Sequence, residues 1–333
     1  MYAKRSDLIL LCDTRKVSMT NNPVVEGGSA RYVIGIAAIA AVSGLLFGFD
    51  TAVINGALVF LREQFRLSEL QTEVAAGSLL AGALLGAGVA GTLTDRFGRK
   101  KVLLAAAALF CVSSLGTALP QNLNQFIVAR LAAGAAIGVA SVLAPMYIAE
   151  VSPARIRGRL VTLNQMAIVT GIVSAYFVNW LLSGLGPVSW RWMFATAAVP
   201  SVVFLAALFF IPESPRWLLR HGRDQEAMAT LMRVNGEGAA AEADAIRESL
   251  AGETGSFREL LEPRLRKPLL IGIALAVFSQ ITGINTVIYY GSILLRDHGG
   301  QSSASSAIGA NVIIGITNFL TTILAIVLID KAV

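Results

Sequence analysis

Charge is what this sequence has least of. Only 14% of its 333 residues are Asp, Glu, Lys or Arg, where a soluble globular domain carries about 25%. That shortage excludes an ordinary water-soluble enzyme, and a disordered scaffold needs more charge still. Cysteine is nearly absent. Cys12 lies in a polar tail and Cys111 in an apolar run, so no disulfide framework can be built. Histidine is as rare, with only His221 and His298, both read as loop residues, and the close set of about four Cys or His ligands that a structural zinc needs is missing. No metal and no cofactor is expected. With no nucleophile–base set and no acid pair at depth, a membrane enzyme is not expected either.

What fills the chain is apolar. Hydrophobic residues make up 55% of it, and a helix needs about 20 mostly apolar residues to cross a bilayer. Eight stretches qualify, at approximately 32–61, 71–94, 101–119, 124–149, 159–184, 190–211, 267–296 and 304–329. The first is too long for a cleaved signal peptide and has no small-residue cleavage site before a soluble domain. Residues 1–31 read as a polar tail, and Met19 is an alternative start. The expected architecture is an all-α membrane protein. Its divisions are a tail at 1–31, a six-helix half at 32–211, an intracellular helical segment at 212–266 and two further helices at 267–333. The 212–266 segment reads as short amphipathic helices, such as 222–234 and 239–252.

The net charge of +6 invites a nucleic-acid reading, but the placement of the cations argues against one. With the N-terminus in the cytoplasm, inner segments hold 22 Lys and Arg and outer segments hold four, Arg62, Arg66, Arg191 and Arg296. This is the positive-inside pattern of a multi-pass protein, and it accounts for the basic balance through anionic lipid rather than nucleic acid.

Two ionisable residues fall deep in the spans, where each costs about 2.5–3.5 kcal/mol on insertion scales. They are Asp50 in the first span and Arg130 in the fourth. The plain reading is a structural ion pair. The functional one is a proton site. Desolvation disfavours the charged carboxylate and a nearby cation favours it, so a helix shift that alters the pairing would bind or release a proton. Uncharged amides supply the other chemistry. Gln280 and Asn285 lie about 140° apart on an unbroken helix, and Gly283 between them allows the unwinding that would turn both to one cavity. Gln165 and Asn318 add two more. Amides both donate and accept, which suits hydroxyl groups, and the aromatics Phe47, in the first span, and Tyr289 and Tyr290, just after Asn285, are available to line the same cavity. A neutral amide-lined cavity fits a monosaccharide or polyol, although helix-to-helix glue is the simpler role for Asn318 and Asn164. Small residues, Gly77, Gly82, Gly86, Gly88 and Gly91 in the second span with Gly134 and Gly138 in the fourth, are expected to let helices pack closely.

Several strings now fit one family. GTLTDRFGRKK at 91–101, PMYIAEVSPARIRGR at 145–159, PESPRWLL at 212–219, GFDTAVINGAL at 48–58, Asn164–Gln165 and QITGIN at 280–285 together resemble the sugar porter branch of the major facilitator superfamily. The resemblance implies twelve helices in two pseudo-symmetric halves that work by alternating access. It implies sugar contacts at Phe47, Gln165, Gln280, Asn285 and Asn318, and a proton-coupling pair at Asp50 and Arg130. It also implies a cytoplasmic gate of charged residues at Asp95, Arg96, Arg99, Glu150, Arg157, Glu213, Arg216 and Asp330. The resemblance also implies that symport is favoured over proton-independent uniport, since facilitative members usually lack the acid that Asp50 supplies in the first helix. A non-transporting sugar sensor is the alternative of another class. Ser279 stands where the family often has the first of two glutamines, which leaves the choice among glucose, galactose, xylose, arabinose and myo-inositol open. The family pattern continues past the last residue with Gly-Arg and four more spans, so this chain is expected to be a piece of a longer carrier that transports poorly by itself. The expected location is the plasma membrane, with sugar, proton and lipid as partners.

Overall fold

The computed structural model describes residues 29–251, 263–297 and 303–332, and among these every regular element is a helix. The tail expected at 1–31 therefore lies outside the described residues up to position 28, as do Cys12, Met19 and His298. Helix α1 (Ala30–Gln64) starts where the Ser29 hydroxyl accepts the N–H of Tyr32 at 3.3 Å. At 1.5 Å per residue it is about 50 Å long, more than a bilayer needs. Helix α2 (Glu69–Phe97) opens with a capping box in which Ser68 and Gln71 each accept the other's backbone N–H. Gly98, at φ 96°, makes the sharp turn into α3 (Arg99–Ala118), a conformation that a Cβ would strain. Asn122 caps α4 (Leu123–Val151), and α5 (Arg157–Leu182) follows.

The sixth crossing differs from the single span expected at 190–211. It is two helices, α6 (Ser189–Ala195) and α7 (Ala198–Leu208). Pro200 is the cause. It has no N–H for the Thr196 carbonyl, which instead accepts from Val199 at 3.2 Å while Ala197 bonds back to Phe194 at 3.1 Å. The turn at 183–188 joins α5 to α6 without a long loop, so residues 157–208 form one 52-residue apolar stretch, one of seven among the described residues that are long enough to cross a membrane. This stretch crosses twice. Arg191 at its turn donates to the carbonyls of Ala118 and Pro120 at the end of α3, and Lys100 at the start of α3 reaches the Phe209 carbonyl at 2.9 Å.

Three short helices come next, α8 (Pro215–Arg220), α9 (Asp224–Asn235) and α10 (Ala239–Ala251). The last two match the amphipathic segments read from the sequence, and they bury small clusters of their own around Trp217, Leu231 and Ala243. The remaining crossings are α11 (Pro263–Ile281) with α12 (Ile284–Asp297), and α13 (Ala304–Ala332).

Small residues decide how the long helices meet. A Cβ on Gly82 or Gly86 of α2 would run into backbone of Leu131 and Ala135 on α4, and one on Gly134 or Gly138 would run into Leu79 and Ala83 on α2. These two helices therefore touch backbone to backbone. Gly77, Gly88 and Gly91 face open space, so the expectation of close packing holds for part of the stripe only. The membrane part has two apolar clusters. One gathers Val33–Leu46 of α1 with the Ala133–Val151 part of α4. The other gathers Phe49–Leu61 with Phe126, Trp190 and Phe194. Helices α12 and α13 lean on α1 and α5. Helix α11 does not join either cluster, and only 6% of the apolar core of 265–297 is buried against 56% for α1.

Candidate functional site

The seam between the two apolar clusters holds the two deep charges. Asp50 Oδ2 lies 2.7 Å from Arg130 Nη1, and the side chains are 2% and 0% exposed. Arg130 Nη2 also reaches the Asp50 carbonyl at 3.4 Å, and the ring of Phe194 sits 5.2 Å under the guanidinium. Helix geometry explains the meeting. Asp50 follows the last α1 residue of one cluster and Phe49 of the other, while Arg130 lies between Phe126 and Ala133 on α4. Within the pair, Arg130 Nε is buried without a hydrogen-bond partner among the described residues.

The amides expected to bind hydroxyl groups are brought together in part. Gly283, at φ 71°, breaks the seventh crossing, and Asn285 Nδ2 then donates to Gln280 Oε1 at 2.7 Å. The unwinding expected at this glycine is present. The pair is not enclosed, however. Gln280 is exposed and Asn285 half-buried, Gln165 on α5 is exposed, and Phe47 on α1 and Asn318 on α13 are half-buried. No described hydrogen bond links Gln165 or Asn318 to the Gln280–Asn285 pair. Tyr289 is buried and Tyr290 half-buried. Asn164 packs its side chain against Gly44 of α1, with Oδ1 buried and without a hydrogen-bond partner among the described residues.

Sequence reasoning missed a second polar group. Asn55, five residues beyond Asp50 on α1, donates to the carbonyls of Ile288 at 2.8 Å and Val287 at 3.4 Å. Its Oδ1 accepts from both the backbone N–H and the hydroxyl of Ser292. Asn311 on α13 completes the set by donating to Ser292 Oγ at 3.0 Å. Tyr176 on α5 donates to Ile288 as well, at 3.3 Å, and Asn179 donates to the Val53 carbonyl at 3.1 Å. The signal was available, since any amide in an apolar run must find a partner once buried. On the same side, Arg62 pairs with Asp297 at 3.2 Å and Arg296 with Glu63 at 2.7 Å.

The charged residues of the other face form a cluster built on Arg99. Its guanidinium binds Glu150 through two bonds of 3.1 and 3.0 Å and reaches Asp95 at 3.4 Å. Asp95 also meets Arg220 at 3.6 Å. The Glu213 carboxylate accepts backbone N–H groups of Arg99, Lys100 and Ser214. Arg157 reaches Glu242 at 3.9 Å and the Ser152 carbonyl, and Arg216 donates to Ser249 at 3.2 Å. Arg96 is exposed and lies over the Phe97 ring. The Asp330 side chain lies outside the described residues.

Comparison with known proteins shows what the chain as a whole is similar to. A family model described as "Sugar (and other) transporter" matches residues 36–332. The arabinose-proton symporter of Bacillus subtilis (strain 168) is 41% identical over 319 residues, which cover 93% of this chain and 68% of that protein. The D-xylose transporter of Levilactobacillus brevis is 40% identical over 87% of this chain and 64% of its own length. Among solved structures, the proton:xylose symporter XylE of the major facilitator superfamily, bound to 6-bromo-6-deoxy-D-glucose, matches with a TM-score of 0.80 and 34% identity over 90% of this chain and 70% of that one. The chain thus spans about two thirds of the length of these proteins.

Proposed function

The chain belongs to the sugar (and other) transporter family, with the fold of the major facilitator superfamily, and we propose that it serves proton-coupled uptake of a monosaccharide or polyol by alternating access. Within that reading, Asp50 and Arg130 couple the proton. Phe47, Gln165, Gln280, Asn285 and Asn318 contribute to the wall that holds the sugar. The Arg99–Glu150 cluster, with Asp95, Arg96, Arg157, Glu213, Arg216 and Asp330, closes the cytoplasmic side. The division into a six-helix half, an intracellular helical segment and a second helical part belongs to the same proposal. So do the plasma membrane as the location and the cytoplasmic N-terminus, which the 22-to-4 excess of Lys and Arg supports.

One observation carries the proton coupling. An acid 2% exposed is held by a base 0% exposed at the seam where two packed clusters meet. Desolvation and the cation act on the carboxylate in opposite directions. A small change in the spacing of α1 and α4 therefore decides whether Asp50 is charged. The proton then moves with the helices, and reciprocity requires that proton binding favour one arrangement of them.

Equilibrium binding of radiolabelled glucose, xylose, arabinose, galactose and myo-inositol to the purified chain in nanodiscs tests the reading. The expected result is binding of one or a few of these with an affinity that changes with pH. Asp50→Asn is expected to keep binding and lose the pH dependence. Absence of binding by every sugar, or an unaltered pH dependence in Asp50→Asn, would overturn it.

A further inference from the structure

A cleft of about 580 Å³ opens between the membrane helices and the short helices at the lysine-rich face. Its walls come from three places, Tyr32 at the start of α1, Lys100 and Lys101 at the start of α3, and Thr230 and Arg233 on α9. Its charges do not cancel. Arg223 is neutralised by Glu226, to which it donates twice at 2.8 and 2.7 Å. Glu213 is occupied by the backbone N–H groups that it caps. Lys100 donates to the Phe209 carbonyl, which carries no net charge. Arg233 lies over the Tyr32 ring, 5.9 Å from its centre. Among the described residues neither Arg233 nor Lys101 has a carboxylate in ion-pair range. The cleft therefore holds four cations, Lys100, Lys101, Arg223 and Arg233, against two carboxylates, Glu213 and Glu226, which leaves two cations in excess.

An apolar segment outside the cleft lining adjoins it through Lys100. Lys100 is bonded to Phe209, and Phe209 and Phe210 are 64% and 80% exposed at the end of α7. A soluble anion gains nothing from that apolar flank, whereas the chains of a lipid would lie along it. Two excess cations in the cleft, with exposed aromatic residues on the chain segment that Lys100 bonds, match an amphiphile whose head is anionic.

We propose that this cleft is a binding site for the phosphate headgroup of an anionic phospholipid, with Lys101 and Arg233 as the charge-bearing contacts and Phe209 and Phe210 beside the acyl chains. The site ties the membrane surface to α9. A bound lipid holds the short helices against the start of α3, next to the Arg99–Glu150 cluster. The proposal requires insertion in a bilayer and is independent of which sugar is carried, or of whether any is.

The test is retention of labelled phosphatidylglycerol by the purified full chain in phosphatidylcholine nanodiscs, read by native mass spectrometry. The wild type is expected to enrich phosphatidylglycerol over phosphatidylcholine. Lys101→Gln with Arg233→Gln is expected to lose that enrichment by about tenfold or more, since each cation near the surface contributes appreciably to anionic lipid binding. Lys101→Arg with Arg233→Lys should keep it. Arg155→Gln with Arg159→Gln removes two exposed cations at the start of α5, outside the cleft, and should leave enrichment unchanged. Equal loss in that second pair would mean diffuse surface charge and overturn the site. Displacement by glycerol phosphate or inorganic phosphate as effective as by the lipid would overturn the lipid assignment in favour of a free phosphate ligand.

Discussion

The side-chain amide of Asn55 donates to the carbonyl oxygen of Ile288 at 2.8 Å, across 233 residues of sequence. Through this bond the helix that carries Asp50 holds the helix that carries Asn285. The two candidate sites, one for the proton and one for the sugar, are thus joined by side chain to backbone as well as by apolar packing. Gly291 makes the approach possible, because a Cβ there would strike the amides of Asn311 and Asn55.

Asn55→Ala is expected to loosen α12 without unfolding the first six crossings. It removes the partner of two carbonyls and of Ser292, and each buried group left unpaired costs about 1–3 kcal/mol. Hydrogen exchange should speed up across 284–297 and stay unchanged across α3. Equal protection in the variant would show that the clasp carries no load.

The buried pair predicts an asymmetry between substitutions at one position. Asp50→Ala strands the Arg130 guanidinium, and an uncompensated buried charge costs about 3–5 kcal/mol. Asp50→Asn keeps an acceptor in place and should cost less. Arg130→Met in the Asp50→Ala background should recover stability, since neither charge then remains. Thermal unfolding of the four proteins in detergent gives the comparison, and a double variant less stable than Asp50→Ala would refute it.

Glycines on one helix are expected to behave in opposite ways. Gly86→Ala puts a Cβ into the Ala135 carbonyl on α4 and should lower the melting temperature. Gly88→Ala meets nothing within contact range. There the gain in helix propensity, about 1 kcal/mol, should raise stability or leave it unchanged. The same melting assay separates the two.

Gly283→Ala tests the break in the seventh crossing. At φ 71° an L-residue pays about 1–2 kcal/mol, and relief comes from winding α11 into α12. That would carry Asn285 away from Gln280. Sugar affinity should fall while the Asp50-dependent pH effect persists. Unchanged affinity would show that the break does not shape the site.

Much of the fold was legible because crossing a membrane is a local property. The ends of α1, α2, α4 and α13 follow runs of apolar residues and their caps. Asp50 and Arg130 stood out because a charge in such a run has to be paired. Pro200 was equally visible, but whether it would kink or split the sixth crossing depends on where the freed Thr196 carbonyl finds a donor. The sugar site was read less fully. Gln280 and Asn285 meet as their spacing around Gly283 suggested, whereas Asn55, Ser292 and Asn311 were passed over as single polar residues with no local pattern.

The sequence by itself determined that this is a multi-pass helical protein, which way its basic loops are biased, and that one acid and one base would be buried. Hydropathy and charge act on each segment separately, so they need no knowledge of neighbours. Only the tertiary structure decided who partners whom. It set Asp50 against Arg130, Asn55 against Ile288, and Lys101 and Arg233 around one cleft. Those choices depend on which helix surfaces can approach closely enough to exclude lipid and satisfy each other's polar groups, and that is a property of pairs of segments far apart in the chain.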